Sequence, residues 1–140
     1  MMETFEYKLH RVRPQQFATF EENFVAGANF EVKLDFRYGF NFQNGVFSVE
    51  ITITFMLDKK VFIKAVMELD FQMIFKENVA EMASIEFPTD YISRVSQIAF
   101  DTLRGYIVAK TEGTPLASVT LALVNCHDVM KDNQPIRFDK

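Results

Sequence analysis

Between residues 30 and 55 apolar and polar positions alternate. Phe30, Val32, Leu34, Phe36, Tyr38 and Phe40 are interleaved with Glu31, Lys33, Asp35 and Arg37, while Val49, Ile51, Ile53 and Phe55 are interleaved with Glu50, Thr52 and Thr54. A period of two marks β-strands with one apolar and one solvated face. Asn44-Gly45 lies between the two runs, and this dipeptide favours a two-residue type I′ turn because both central positions need positive φ. Centring the hairpin there sets Phe42 opposite Phe47, Phe40 opposite Val49, Tyr38 opposite Ile51 and Phe36 opposite Ile53, an apolar pair each time. A slip by one residue would exchange the faces, so turn and pattern support each other.

A second reversal falls at Asp58-Lys59-Lys60. A three-residue loop there sets Phe55 opposite Ile63, Ile53 opposite Ala65, Ile51 opposite Met67, Val49 opposite Leu69 and Phe47 opposite Phe71, whereas a two-residue loop would break the parity. At roughly 3.3 Å per residue the run 61–75 is too long for a flat strand in a small domain, which predicts a bulge or bend near 70–73. An earlier strand spans 5–12, where Phe5, Tyr7 and Leu9 alternate with Glu6, Lys8 and His10, and Pro14 ends it. Residues 17–30 then cross to the next strand, either as one amphipathic turn or as an ordered loop held by Phe17, Phe20 and Phe24.

After the strands the period changes. Residues 76–84 read as a short helix with Val79, Ala80 and Met82 inward. Pro88-Thr89 introduces a strong helical pattern in which Ile92, Val95, Ala99, Leu103 and Tyr106 recur at three- and four-residue steps, with Arg94, Gln97, Asp101, Arg104 and Lys110 mostly on the other side. Gly113-Thr114-Pro115 closes this helix. Residues 116–130 fit either a strand, through Val119, Leu121 and Leu123, or a helix, and 125–132 fit a short terminal helix bounded by Pro135. The predicted architecture is therefore α+β: a four-stranded antiparallel meander sheet with a long helix and a short C-terminal helix packed on one face, in one domain spanning 1–140. One helix about 10–12 Å across cannot cover four strands spaced about 4.8 Å apart. The apolar surplus marks an interaction surface, filled by self-association or by a client.

Composition sharpens this reading. Sixteen Phe stand against four Tyr and no Trp, so the surplus is specifically aromatic. The net charge is −4 with scattered basic residues, which leaves no footprint for a phosphate backbone, and no nucleic-acid partner is expected. No secretory leader opens the sequence and no apolar run approaches about eighteen residues, so a cytoplasmic location without membrane insertion is expected. One cysteine, Cys126, allows no disulfide within the chain and fits a reducing compartment.

Chemistry is thin. Cys126, His127 and Asp128 are consecutive, whereas catalytic groups converge from separate segments. His10 and His127 offer at most two metal ligands, and no Gly-rich phosphate loop is present. Glu68 and Asp70, two apart on one strand face, read as a solvated edge rather than paired carboxylates. The expectation is a protein that is not an enzyme, with no catalytic residue, metal or cofactor.

Several stretches, in order, resemble the SecB-type export chaperones: "FEYKLHRV" at Phe5 the first strand, "TFEEN" at Thr19 the aromatic crossover, "FEVKLDF" at Phe30 the second strand, and "MELDFQMIF" at Met67 the end of the fourth. "IEFP" at Ile85 resembles the Phe-Pro start of that family's long helix, and "GTPLASVTLALVNCHDVM" at Gly113 the segment that follows. The chain departs from the pattern in its short, proline-ended tail after Asn125, in Gln72 and Met73 where glycines are usual, and in having no extended acidic tail. The resemblance implies ATP-independent capture of unfolded, extended polypeptide in aromatic grooves, in a homotetramer built as a dimer of dimers. By position it implies that Phe20 lines the groove and that Glu68 lies on an acidic surface offered to the SecA translocase motor. Phe17 and Phe24 join the polypeptide-binding set from the local aromatic pattern. The alternatives are a dedicated SecB-like chaperone of a toxin-antitoxin system, or a module whose aromatics enclose a small hydrophobic ligand.

Overall fold

The computed structural model describes residues 6–119 and 135–140. Strands β1 (Glu6–Thr19), β2 (Glu31–Asn41), β3 (Val46–Leu57) and β4 (Lys60–Ile74) form one antiparallel sheet in the order β1-β4-β3-β2. Only β2, β3 and β4 meander; β1 crosses over to the far edge and pairs with β4. The helix α1 (Thr89–Thr111) lies on one face of the sheet, over β3 and β4. A short strand β5 (Ser84–Phe87) leads into it and pairs with a final strand β6 (Ile136–Asp139).

The alternation read from sequence sets the two faces. Phe36 pairs with Ile51 and Ile51 with Met67, so three strands contribute one continuous inward row. Phe47, Val49, Ile51, Ile53, Phe55, Ala65, Met67, Leu69 and Phe71 are buried beneath α1 and its flanking segments. On the helix the buried arc includes Ile92, Val95, Ala99 and Leu103, as expected, and widens to Ser96, Phe100 and Ile107.

Both turns differ from expectation. β2 and β3 are joined by a four-residue loop, and the register is slipped by two, with Phe40 opposite Phe47 and Tyr38 opposite Val49. Asn41 explains the longer loop. Its Oδ1 accepts the N–H groups of Gln43 and Asn44, its carbonyl accepts the N–H of Gly45 at 2.9 Å, and only Gly45 (φ 71°) takes positive φ. Because the slip is even, every side chain keeps its face. β3 and β4 are joined by two residues, Asp58 (φ 51°) and Lys59 (φ 66°), instead of three. The parity lost there is restored by a bulge at Phe62: Met56 pairs with Val61 but Phe55 with Ile63, and from there the expected register holds to Phe47 and Phe71.

The bulge or bend expected near 70–73 of β4 is met in part: pairing with β3 is unbroken from Asp70 to Gln72, while a register shift against β1 falls between Asp70 and Phe71. The irregularity sits on the partner strand. β1 runs through Pro14 rather than ending there, with register shifts at His10 and Gln15. As an edge strand it tolerates a residue that lacks an N–H. The two shifts also turn its inward set from Tyr7 and Leu9 to Val12 and Pro14, and back to Phe17 and Thr19. Residues 76–84 hold a 3-10 turn, Val79–Glu81, capped by Asn78 Oδ1 on the Ala80 N–H, instead of a helix. The crossover contains another 3-10 turn, Glu21–Asn23, inside an ordered loop. The terminal helix expected over 125–132, the alternation at 121–123, and Cys126, His127 and Asp128 lie outside the described residues.

Candidate functional site

Aromatic rings run along the inner face from one end of the sheet to the other, in two groups. At the crossover end the bulge aims Phe62 inward although Ile63 also faces in, and its ring lies 5.1 Å from Phe24, 5.7 Å from Phe30 and 5.9 Å from Phe55. Phe17, inward on β1, meets Tyr106 of α1 edge-on at 5.9 Å. The crossover is tied to β4 by the Phe20 N–H on the Phe62 carbonyl and by Asn23 Nδ2 on the Val61 carbonyl, both at 2.9 Å. These bonds hold Phe20 at the rim with 41% of its surface exposed, and Val25 of the same crossover is 60% exposed. The three residues expected to bind polypeptide thus share one end of the sheet, in different settings. Phe24 is half-buried against Phe62, Phe17 is wedged against the helix, and Phe20 is presented to solvent.

The other end is closed. Phe47 lies 4.7 Å from Phe87 and 5.1 Å from Tyr91, Phe40 lies 5.3 Å from Phe87, and Phe138 of β6 lies 5.9 Å from both Phe47 and Phe87. Tyr7 meets Tyr91 edge-on at 5.3 Å. The Tyr91 hydroxyl donates to Met73 Sδ at 2.9 Å, and burial, with a smaller contribution from Tyr7, raises its pKa far above the ordinary tyrosine value. Sequence reasoning missed this cluster because its rings come from β1, β2, β3, β5, α1 and β6. A signal for the last of these was present, as Ile136 and Phe138 alternate with Arg137 and Asp139 beyond Pro135.

Along the edge strands apolar side chains remain at the rim. Leu9 and Val12, inward on edge strand β1, and Val32 on edge strand β2 are exposed, because α1 packs mainly over the central strands and covers the edge strands only in part. The Tyr38 hydroxyl and Ser96 Oγ, 2.6 Å apart, fasten β2 to the helix. The width mismatch inferred from sequence is therefore met in the middle and at one end, and left unmet along the margins.

On the outer face Glu68 and Asp70 do not form a solvated edge, for β4 is an inner strand and Asp70 is buried. Arg13 donates to both carboxylates, reaching Asp70 at 3.0 Å, while Gln15 Nε2 donates to Glu68 at 2.7 Å and Ser48 Oγ to Asp70 at 2.8 Å. Across the sheet the register runs Arg37, Glu50, Glu68, Arg13, so the central acids are flanked by bases on both edge strands. The surface at Glu68 is a compensated charge ladder. Among the described residues no cluster of His, Cys, Asp or Glu is arranged to hold a metal, and no helix is long and apolar enough to cross a membrane.

Neither family models nor curated protein sequences match this chain. Solved structures do. The fold is similar to that of the Mycobacterium tuberculosis SecB-like chaperone Rv1957, solved in complex with a ChAD peptide from the Rv1956 HigA1 antitoxin; the TM-score is 0.55 at 14% identity, covering 85% of this chain and 86% of that one. A protein of unknown function from Streptococcus agalactiae aligns with a TM-score of 0.45 at 16% identity, over 87% of this chain and 99% of that one. The chain therefore has a SecB-like α+β fold.

Proposed function

We propose that this protein is an ATP-independent chaperone that holds unfolded, extended polypeptide on the aromatic face of its sheet. The observation that carries the reading is the apolar margin around α1: Leu9, Val12, Phe20, Val25 and Val32 remain wet beside a densely packed aromatic core. Each fully buried apolar side chain contributes roughly 1.5–3 kcal/mol, so a partner that covers this margin has a substantial driving force. The SecB-like fold supports the reading, as does the antitoxin peptide held by the mycobacterial protein. That peptide specifically favours, as the second reading, a dedicated chaperone of a toxin-antitoxin pair.

Self-association into a dimer of dimers belongs to the same proposal, since a second copy is one way to cover the flanks. A contact between Glu68 and a translocase motor would have to compete with Arg13 and Gln15 for the carboxylate. The small-ligand alternative has less to rest on. A cavity of about 320 Å³ lies at the end of α1, lined among the described residues by Ile107, Val108, Thr111, Glu112, Ala117 and Val119, with no aromatic ring among them. The test is aggregation of a chemically unfolded client followed by light scattering, with the protein's mass in solution measured alongside. Suppression at near-stoichiometric ratios by an oligomer is expected; a strict monomer that leaves aggregation unchanged would overturn the proposal.

A further inference from the structure

The closed end of the face is closed by the chain's own last strand, and β6 has the form of a client. It is four residues long, extended, and apolar at alternate positions, with Ile136 and Phe138 turned toward the core and Arg137 and Asp139 outward. Among the described residues backbone pairing joins it to β5, from Ser84 opposite Asp139 to Phe87 opposite Ile136, and the Lys140 N–H on the Ala83 carbonyl extends the ladder by one bond. Its one aromatic ring sits among Phe40, Phe47 and Phe87. An extended segment that adds a strand at a sheet edge and sets alternate side chains into pockets is a recurrent mode of peptide recognition.

Resting on the chaperone reading, we propose that the β5 edge and the ring cluster beneath it form a peptide-binding site for an extended segment with apolar residues at positions i and i+2, and that residues 136–139 occupy it in cis as a displaceable strap. Among the described residues the attachment is short: Ile136 and Phe138 stay half-buried in place, and β6 makes four residue pairs where β3 and β4 make twelve. Phe47 and Phe87 are fully buried with β6 in place and form the floor on which Phe138 packs. A tethered segment competes at high effective concentration, so the strap sets a threshold that only a client with the matching pattern, or one held also at the open end, overcomes.

The experiment uses the full chain and a labelled synthetic peptide with the sequence of residues 133–140. If the strap is closed about nine parts in ten, Phe138→Asp in the protein strengthens peptide binding roughly tenfold over wild type. A peptide carrying the same Phe138→Asp change binds neither form. A second variant, Glu86→Cys with Arg137→Cys in a Cys126→Ser background, locks the strap through a cross-strand pair, and directly opposed strand residues lie within disulfide reach. Oxidation should abolish peptide binding and reduction restore it. Equal binding by the locked and reduced forms overturns the proposal, as does a folded Phe138→Asp protein that binds no better than wild type. If Phe138→Asp fails to fold, the lock alone decides. An unfolded client that displaces the peptide supports both this site and the chaperone reading; peptide binding that no client displaces keeps the site and removes the chaperone.

Discussion

The two ends of the inner face are built from the same residue type and finished differently. At the strap end, Phe47, Phe87 and Tyr91 are sealed by β5, β6 and the start of α1, and the Tyr91 hydroxyl is buried with its proton. At the crossover end, Phe24, Phe30, Phe55 and Phe62 interlock just as closely, yet the loop above them leaves Phe20 and Val25 in water. The difference lies in the backbone above the rings, a paired strand at one end and a loop at the other. Ring content alone therefore does not identify a binding surface; what covers the rings does.

The largest effect should separate the ends by stability. Phe47→Ala removes a fully buried ring from the centre of the closed cluster, with an expected cost of about 3–5 kcal/mol in denaturant unfolding. A loss below about 1 kcal/mol would mean that the closed end is loosely packed and that the contrast fails. Arg13→Ala comes next. It leaves the buried Asp70 carboxylate with the Ser48 hydroxyl as side-chain donor, and should cost about 1–3 kcal/mol by urea unfolding. This loss should be indifferent to the two ends because the network lies on the opposite face. Glu68→Arg would set a cation against Arg13, so it should destabilise the sheet as well as alter any partner contact there.

A pH dependence sharpens the same contrast. The folded-state pKa of Tyr91 is raised by burial above its ordinary value of 10.0. Above pH 10 the unfolded chain releases this proton while the folded chain keeps it, so Tyr91 adds a loss of stability of roughly 1.4 kcal/mol per pH unit. Below pH 10 both states hold the proton and the contribution is flat. Comparing wild type with Tyr91→Phe in alkaline urea titrations isolates it; identical slopes above pH 10 would place the hydroxyl in contact with water.

How much of this was legible follows from which features depend on period alone. The inward row through Phe36, Ile51 and Met67 was readable because side chains alternate strictly, and a register error of two leaves the faces intact. Turn length was not readable, since the Asn41 side chain makes the loop with bonds that no dipeptide preference encodes. Bulges were hidden for a related reason. Phe62 followed by Ile63, both inward, breaks alternation locally and looks in sequence like noise, yet it creates the hub of the open end. Of the site itself, the crossover aromatics Phe17, Phe20 and Phe24 stood out as a local cluster, whereas Phe87 and Phe138 are about fifty residues apart in the chain and meet through a two-stranded pairing of four residues each. A strand that short carries too little pattern to read.

The smallest expected change in stability tests the open end. Phe20→Ser removes a ring that is already 41% exposed, while its N–H bond to the Phe62 carbonyl is a backbone contact that the substitution retains. The stability change should stay under about 1 kcal/mol, as for most partly exposed positions outside a packed cluster. Binding should respond in the opposite proportion. A ring at a rim that an incoming chain would cover loses its remaining exposed surface only in the complex, so its contribution appears in client affinity and is nearly absent from folding. Phe20→Ser with unchanged unfolding but several-fold weaker suppression of client aggregation would match this division of labour. Unchanged suppression together with unchanged stability would make Phe20 an idle surface ring and move the binding margin to Leu9, Val12 and Val32.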